Sequence, residues 1–561
     1  MAWYQRNMFS TRTEKPGSLN IPEQITLSDL AGGEAEKQAF SAPEPPKPTE
    51  KLTVDSYTRN KGSRDKKRTQ EELLENVIHG DPEYIYASDD ERVCPACGSE
   101  MAHLGWEKVR TEVRVIPEQI YATDIYMEKL YCPKCKEDDD VFVTASASAP
   151  PAIIPGSYPS DSLLSFIACQ KYQLCVPTYR LEHYLLLWGV SIPRGRMSRW
   201  LITIAEKYLF IIYERLHTEM KKHRDIINID ETPCPVNKIE ELVPLADENG
   251  LPLSEEETAR LTKERDARAA AAEGEPDDVS QDGKNEVPMA KRKKCFMWLY
   301  AAKYGTDHPI ILYDYEPSRA GYNWKNFLGM DYEGYIITDG WSAYNTDEKH
   351  QSDTDHIRRK WFYAIRNKEG PLDMKDPAVE GFCRINEIYM IERKLKNKAP
   401  VKRKEERLKQ EKPRWDSFKT WMDSLDPSGG TSLQVAVNYT QKQWTRAMTY
   451  LEDGRMPMWN NEAERCAKSY ATVRKNALFH DTSRGARSAA ILKSLIDTAA
   501  ANHLNPELYL SELLKSARDY VEEPARAAEY LPWTEKMQGL CANRAELKDG
   551  PHQEPSGSAH Q

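Results

Sequence analysis

The stretch Ile226-Ile-Asn-Ile229-Asp230-Glu-Thr-Pro233 decides how this chain is read. Residues of strand-forming type run into a carboxylate, and a proline follows soon after. A second apolar run, Tyr335-Ile-Ile-Thr338, ends in the same way on Asp339-Gly340. Between them, Phe296–Ala302 and Pro309–Tyr315 read as two strands joined by the turn Gly305-Thr-Asp-His308. Three strands, a crossover and a fourth strand make an α/β core, with an aspartate at the end of each of two strands.

A lone aspartate after a strand commonly serves a turn or a helix N-cap. Two at one sheet edge can do more, because neighbouring carboxylates stay ionised together only if a cation joins them. Mg²⁺ (or Mn²⁺), with its preference for hard oxygen ligands, meets that need. Two ions about 4 Å apart would activate a water or a 3′-hydroxyl and stabilise the leaving oxygen of a phosphodiester. A third carboxylate is required, and Glu464 in Trp459-Asn-Asn-Glu-Ala-Glu464-Arg465 is the candidate. A purely structural alternative exists, with Asn461 as N-cap and Glu464 closing a capping box. Glu462 and Glu231 are rival carboxylates.

The gap of 125 residues from Asp339 to Glu464 exceeds what one strand and one helix need. Residues 357–452 read as mainly helical, and 391–414 carry eleven Lys/Arg against four Glu. Such a run is usually a solvated helix face, but it can also track phosphates. Glu462–Arg474, Ala486–Ala501 and Pro506–Glu523 form a last group of helices. Upstream, Leu163, Leu164, Ile167 and Tyr172 recur at helical spacing, and Gly189-Val-Ser-Ile-Pro193 breaks a helical run that Arg196–Leu216 resumes. This is a helical region with a candidate helix-turn-helix.

Eleven cysteines include two pairs, Cys94-Pro-Ala-Cys97 and Cys132-Pro-Lys-Cys135, separated by thirty-four residues. Two CxxC knuckles supply the four thiolates of a structural Zn²⁺. The others are scattered, as reduced thiols are, and the N-terminus has no apolar signal core, so a cytoplasmic protein is expected. No apolar run approaches the roughly 20 residues of a membrane-spanning helix.

The 561 residues hold 78 Lys+Arg and 88 Asp+Glu, a net charge of −10 that at first sight argues against a nucleic-acid partner. Residues 240–286 alone contain fifteen Asp/Glu and five Lys/Arg, which accounts for the whole excess. The remainder is neutral, with basic clusters at Lys221-Lys-His-Arg224 and Lys291-Arg-Lys-Lys294. The insert reads as disordered, and it would compete with phosphate for the basic face.

Several segments together resemble the transposases of the insertion-sequence-66 family. The cysteine knuckles resemble that family's zinc-binding domain. Ile154-Pro-Gly156, Lys171-Tyr172 and Pro177-Thr-Tyr-Arg180 are similar to the helical stretch that follows it. Asp230-Glu-Thr-Pro233, Asp339-Gly-Trp-Ser-Ala-Tyr344 and Asn460-Asn-Glu-Ala-Glu464-Arg465 resemble the three catalytic blocks. His356-Ile-Arg-Arg-Lys360 matches the H-x-R-R segment, Arg474-Lys-Asn-Ala-Leu-Phe479 extends the third block, and Ser494-Leu-Ile matches a terminal helix. The sequence departs from the family at Trp459 and at Asp353-Thr354, and it lacks a heptad-repeat opening.

The resemblance implies a multidomain α/β protein: an RNase H-like catalytic core with an all-α insertion, preceded by a zinc ribbon and a helical DNA-binding region. The expected boundaries are a mostly disordered 1–85, a zinc ribbon at 86–144, a helical region at 160–220, a core at 221–500 and C-terminal helices with a frayed tail at 501–561. Within the core, 240–294 is the acidic insertion and 345–455 the helical one. Asp230, Asp339 and Glu464 would be the catalytic triad holding Mg²⁺ or Mn²⁺, with Cys94, Cys97, Cys132 and Cys135 on structural Zn²⁺. Arg358, Arg359, Arg474 and Lys475 suit phosphate contacts. His356 is an auxiliary active-site candidate and is not read as a metal ligand. The implied activity is a DDE transposase of bacterial, nucleoid-associated location. It would cut element ends and join them to target DNA, as a homo-oligomer with small accessory proteins. The alternatives are an inactive, zinc-dependent DNA binder derived from a transposase, and an RNase H-like nuclease that cuts without joining.

Overall fold

The computed structural model describes residues 120–126, 129–131, 144–146, 152–247, 251–272, 295–341, 344, 349–366, 373, 375–427 and 430–543. The expected N-terminal segment 1–85, the four zinc-ligand cysteines and the tail beyond residue 543 lie outside them. So do the expected short helix at Thr69–Ile78 and the strands around Val109–Val115.

Strands β1 (Lys129–Tyr131) and β2 (Thr144–Ser146) pair antiparallel. Helices α1 (Asp161–Tyr172), α2 (Thr178–Leu187) and α3 (Arg194–Ile204) follow, and one π turn at Ala205–Leu209 joins α3 to α4 (Phe210–His223). The Ser160 side chain caps α1 by accepting the Leu163 N–H. Gly189, at φ +77°, makes the turn after α2 that a side chain would strain.

The centre is a five-stranded sheet. Its strands are β3 (Ile226–Pro233), β5 (Phe296–Ala302), β6 (Ile310–Glu316), β7 (Tyr335–Thr338) and β8 (His350–Ser352), in the order β6-β5-β3-β7-β8. The first three pair antiparallel, while β7 and β8 run parallel to β3. A small separate sheet pairs β4 (Val236–Lys238) with β9 (His480–Thr482).

Alternation decides which residues face which side. Ile227, Ile229, Trp298, Tyr300 and Leu312 pack in one core with α1–α4. Met297, Leu299, Ala301, Ile311 and Tyr313 pack in another with residues of two later helices, Cys466 and Tyr470 on the first and Ala486 and Ala490 on the second. A sheet covered on both faces needs strands with apolar residues at nearly every position, and β5 is buried along almost all its length.

Helix α5 (Glu255–Ala272) lies in the segment that the sequence marks as disordered. The correction has a physical cause: its Ala, Glu, Arg and Lys content has high intrinsic helix propensity, which composition alone does not credit. Its start is a capping box in which Ser254 and Glu257 bond each other's N–H groups. The rest of the insertion, 273–294, lies outside the described residues.

Helix α6 (Tyr322–Leu328) crosses from β6 to β7. Five helices follow, α7 (Thr354–Arg366), α8 (Pro377–Leu395), α9 (Pro400–Gln410), α10 (Lys412–Asp423) and α11 (Ser432–Ala447), whereas β8 is a strand within the expected all-α stretch 345–455, because β7 supplies its hydrogen-bonding edge. Then come α12 (Asn461–Ala477), α13 (Ser483–Ala501), α14 (Pro506–Lys515), α15 (Ala517–Glu522) and α16 (Glu535–Cys541). Helix α13 also seals the outer edge of the sheet. Its Ser494 hydroxyl accepts the Tyr313 N–H at 2.8 Å, and its Thr498 hydroxyl bonds both the N–H and the carbonyl of Ile311. An edge strand that would otherwise expose unpaired backbone is thereby closed.

Among the described residues, Cys169, Cys175, Cys234, Cys295, Cys383, Cys466 and Cys541 are not joined in disulfides. No helix among them is long and apolar enough to cross a membrane.

Candidate active site

Strand β3 is longer than its apolar run implies. It continues through Pro233 because β5 pairs with it from Asn228 to Pro233, so Asp230 lies inside the strand and not at its end. The parallel partner β7 stops earlier, its register reaching Asn228↔Ile337. Two residues further along the same register, Asp230 stands beside Asp339. Adjacent strands lie about 4.8 Å apart, so the two carboxylates are side by side where β7 ends.

The third carboxylate comes from α12. Asn460 precedes this helix, and its side chain does not cap it. Instead its Nδ2 donates to the Ile229 carbonyl at 2.8 Å, and its Oδ1 accepts the Asn228 Nδ2 at 2.8 Å. These two buried bonds fix the start of α12 against β3. The capping box with Asn461 as N-cap is not formed, because Asn461 is the first residue of the helix, and the Glu464 N–H bonds the Asn460 carbonyl as an ordinary helical residue. Burial raises the Asp230 carboxyl well above its usual range, and the charges of Glu231, Asp339 and Glu464 add to it. A hydrogen bond from the Glu231 N–H at 2.8 Å offsets this in part. Carboxylate oxygens are the hard donors that Mg²⁺ takes, although among the described residues the ligand atoms that lie within 4.8 Å of one another are those of Asp353, His356 and Glu464.

The rivals have other partners. Glu231 pairs across β5 with Trp298, on the face opposite Asp230. Arg319 donates to it through Nε at 2.6 Å, and the Tyr344 hydroxyl donates to its other oxygen. The Arg319 guanidinium lies 4.0 Å over the Trp341 ring. Burial first, then the Asp339 charge, pushes Glu231 up to about 7 against the pull of Arg319. Glu462 is held by Lys303 at 2.9 Å and by Arg465 at 2.8 Å.

Asp339 is braced from the insertion. Its Oδ1 accepts the Trp341 N–H at 2.9 Å. A Cβ on Gly340 would lie 2.1 Å from the Tyr439 hydroxyl, so glycine alone lets α11 approach this loop.

His356, on α7, faces the same centre. Its Nε2 lies 3.9 Å from Glu464 Oε1, and its Nδ1 lies 3.9 Å from Asp353 Oδ2. Burial, then the nearby Arg359, lowers the imidazole below its usual range. Arg359 Nη2 is 4.0 Å from Glu464 Oε1, and Lys468 holds Glu464 Oε2 at 3.1 Å.

The phosphate candidates divide. Arg358 donates to Asn386 at 2.7 Å and lies over the Phe382 and Tyr389 rings at 5.1 and 5.2 Å. Arg474 bonds the Thr232 hydroxyl and the Pro233 carbonyl, tying α12 to β3. Lys475 is exposed. In the basic run, Arg403 and Arg407 turn inward, whereas Lys394, Lys396, Lys402, Lys404 and Lys409 are exposed. Sequence reasoning passed over Asn228, Asn460 as a strut, Arg319 and Tyr344. Period-2 alternation from Ile227 and Ile229 was a signal that could have set Glu231 apart from Asp230.

The molecule is thus a mixed α/β protein, mostly helical, with an acidic centre on a five-stranded sheet and paired CxxC knuckles upstream. The description "Transposase IS66 family" matches residues 156–244 and 284–488. "Zinc-finger binding domain of transposase IS66" matches residues 91–136, which covers the four cysteines and supports a structural Zn²⁺. The chain belongs to the IS66 transposase family. The gap in the first match, 245–283, falls in the acidic insertion. Relatives from Sinorhizobium fredii (strain NBRC 101917 / NGR234) include "Uncharacterized protein y4jD", 23% identical over 474 residues, covering 81% of this chain and 80% of the relative. "Uncharacterized protein y4qI" is 25% identical over 419 residues, 70% of this chain and 66% of the relative.

Proposed function

We propose that this chain is an active DDE transposase that cuts insertion-element ends and transfers them to target DNA. The observation that carries the reading is the placement of Asp230 beside Asp339 on adjacent parallel strands, with the Glu464 charge added from α12. The strand order β6-β5-β3-β7-β8, three antiparallel strands and two parallel ones, supports an RNase H-like core for residues 221–500. The α7–α11 block is then its insertion.

Asp230, Asp339 and Glu464 would hold Mg²⁺ or Mn²⁺. When bound, such ions supply activation of a water or 3′-hydroxyl and stabilisation of the leaving oxygen. The chain's own residues set the geometry for this. Asn460 places Glu464, Trp341 and Gly340 fix Asp339, and Arg319 with Tyr344 keeps Glu231 on the far face. Lys475 and the exposed lysines of α8 and α9 suit backbone phosphates. Helix α3, with exposed Arg194, Arg196 and Arg199 after the Gly189 turn, is the candidate DNA-contacting helix of region 160–220. Pairing two element ends calls for a homo-oligomer, and the element's small accessory proteins are further candidate partners.

The test is metal-dependent cleavage and joining of element-end DNA, resolved on gels. Full activity in an Asp230→Ala, Asp339→Ala double variant would sink the assignment. Cut products without joined ones would make the chain a nuclease, and end-specific binding alone would make it a DNA-binding derivative. Cys94→Ser with Cys132→Ser is expected to release zinc and weaken end binding.

A further inference from the structure

The sheet-centre carboxylates leave one neighbouring cluster unexplained. Asp353, immediately after β8, is fully buried, yet it is the first residue of a loop-to-helix junction where an aspartate would ordinarily face water. Its Oδ1 accepts the Asp355 N–H at 2.7 Å. Its Oδ2 has no hydrogen-bond partner. A buried carboxylate oxygen without a partner is costly, and natural proteins keep one where something else completes it. Residues that could complete it stand close by. Asp353, His356 and Glu464 each offer a ligand atom, and these atoms lie within 4.8 Å of one another.

We infer that Asp353, His356 and Glu464 form a binding site for a divalent transition-metal ion, adjoining the proposed catalytic pair Asp230 and Asp339. Three donors on one ion at about 2.1–2.2 Å stand roughly 3–3.7 Å apart, so the cluster closes by up to about 1 Å when the ion binds. Two carboxylates balance the charge of a divalent ion. One imidazole nitrogen beside two carboxylate oxygens favours Mn²⁺, Co²⁺ or Zn²⁺ over Mg²⁺, which prefers oxygen alone. Glu464 divides its two oxygens accordingly: Oε2 is taken by Lys468, and Oε1 faces His356. Arg359, 4.0 Å from Oε1, is a cation that the ion would have to displace from that oxygen. A bound ion would fix Glu464 and add positive charge beside Asp230.

Glu464 is shared with the catalytic reading, but the inference stands on Asp353 and His356, which that reading does not use. The test uses the full chain, zinc-loaded, titrated with Mn²⁺ and followed by electron paramagnetic resonance. Mn²⁺ avoids the cysteine thiolates, and a directly bound imidazole gives a ¹⁴N coupling that carboxylates cannot. The expected result is a Mn²⁺ species with ¹⁴N coupling that disappears in His356→Gln. Asp353→Asn, nearly isosteric, should weaken it at least tenfold, and Asp230→Asn with Asp339→Asn should leave it in place. Circular dichroism checks that each variant is folded, and Asp353→Asn keeps the test decisive if His356→Gln is not. Bound Mn²⁺ without nitrogen coupling, or coupling that survives His356→Gln, overturns the site. Loss of the ion only in the Asp230 and Asp339 variants would also overturn it while the catalytic reading stands. Conversely, a nitrogen-coupled ion together with full cleavage activity in those variants would leave this site and remove that reading.

Discussion

Two clusters of buried charge, one at the sheet centre and one in the helical insertion, handle their charge in opposite ways. In the insertion, Arg407 is wholly buried and every donor has a partner. It bonds both oxygens of Glu392, at 2.9 and 2.6 Å, and the carbonyls of Tyr450, Asp453 and Met456. At the sheet centre, burial and then the charges of Glu231, Asp339 and Glu464 raise Asp230, and nearby Asp353 Oδ2 and Asp355 Oδ1 have no hydrogen-bond partner. The first cluster pairs Glu392 within the chain, and only the adjoining Glu411 carboxyl, pushed up to about 8 by burial and the Glu392 charge, keeps an oxygen without a partner there. The second calls for counter-charge from outside. Satisfied buried charge is scaffolding that holds a segment in place, and uncompensated buried charge marks where a ligand belongs.

The largest test of this contrast is on activity. Asp230→Asn, Asp339→Asn or Glu464→Gln is expected to reduce strand cleavage by about 10³-fold or more, the several kcal/mol that bound ions supply. Asp230→Asn should meanwhile leave the metal-free protein at least as stable at neutral pH. The sign follows from its raised carboxyl. The native state binds the proton to higher pH than the unfolded chain, so stability falls as pH rises above the unfolded value near 4. A large drop in Tm on this substitution would break the contrast.

Arg407→Ala should do the opposite. It leaves Glu392 buried without its partner, at a cost of about 3–5 kcal/mol in urea unfolding. The folded fraction should cleave at the wild-type rate.

Asn460→Ala lies between the two. Losing the struts to Asn228 and Ile229 should cost about 1–3 kcal/mol. It should also lower kcat with little change in KM, because Glu464 loses its placement.

Two histidines, His350 buried and His480 half-buried, give a pH test. Burial holds His350 and His480 down to about 3. The unfolded chain binds protons near 6.5, so stability is full above that value and is lost as pH falls toward 3. Each histidine contributes up to about 1.4 kcal/mol per pH unit. His350→Gln should flatten the fall in Tm between pH 6.5 and 5.

The smallest effect expected is from the acidic insert. Deleting residues 251–286 should strengthen DNA binding by about tenfold or less and steepen its salt dependence. Unchanged binding would end the idea that the insert competes with phosphate.

Much of the fold was legible because its signals are local. The β5–β6 hairpin, the helices of the insertion and the proline stop after α15 rest on neighbours in sequence. Strand β8 was not legible. His350, Gln351 and Ser352 carry no apolar residue, yet all three are buried, because β7 pairs with them and the Gln351 amide bonds the Ala447 carbonyl. Helix α5 was missed for a different reason: its composition looked disordered, although its helix propensity and Ser254 cap were already present. In the site, the chemistry of Asp230, Asp339 and Glu464 as candidates was legible from strand ends and carboxylate type. The choice of Glu464 over Glu462 depended on which way α12 faces the sheet.

By itself, then, the sequence determined the family, the paired zinc knuckles, the α/β order of elements and a short set of carboxylates. These are properties of residue type, spacing and period, which act over a few positions along the chain. Only the tertiary structure decided that Asp230 lies within its strand, that Asn461 is helical while Asn460 is a strut to β3, and that Asp353 is buried beside His356. Those facts come from contacts between residues up to 232 positions apart, as in Asn228 with Asn460. Burial and counter-charge are set by what the folded chain brings alongside, and no local pattern encodes them.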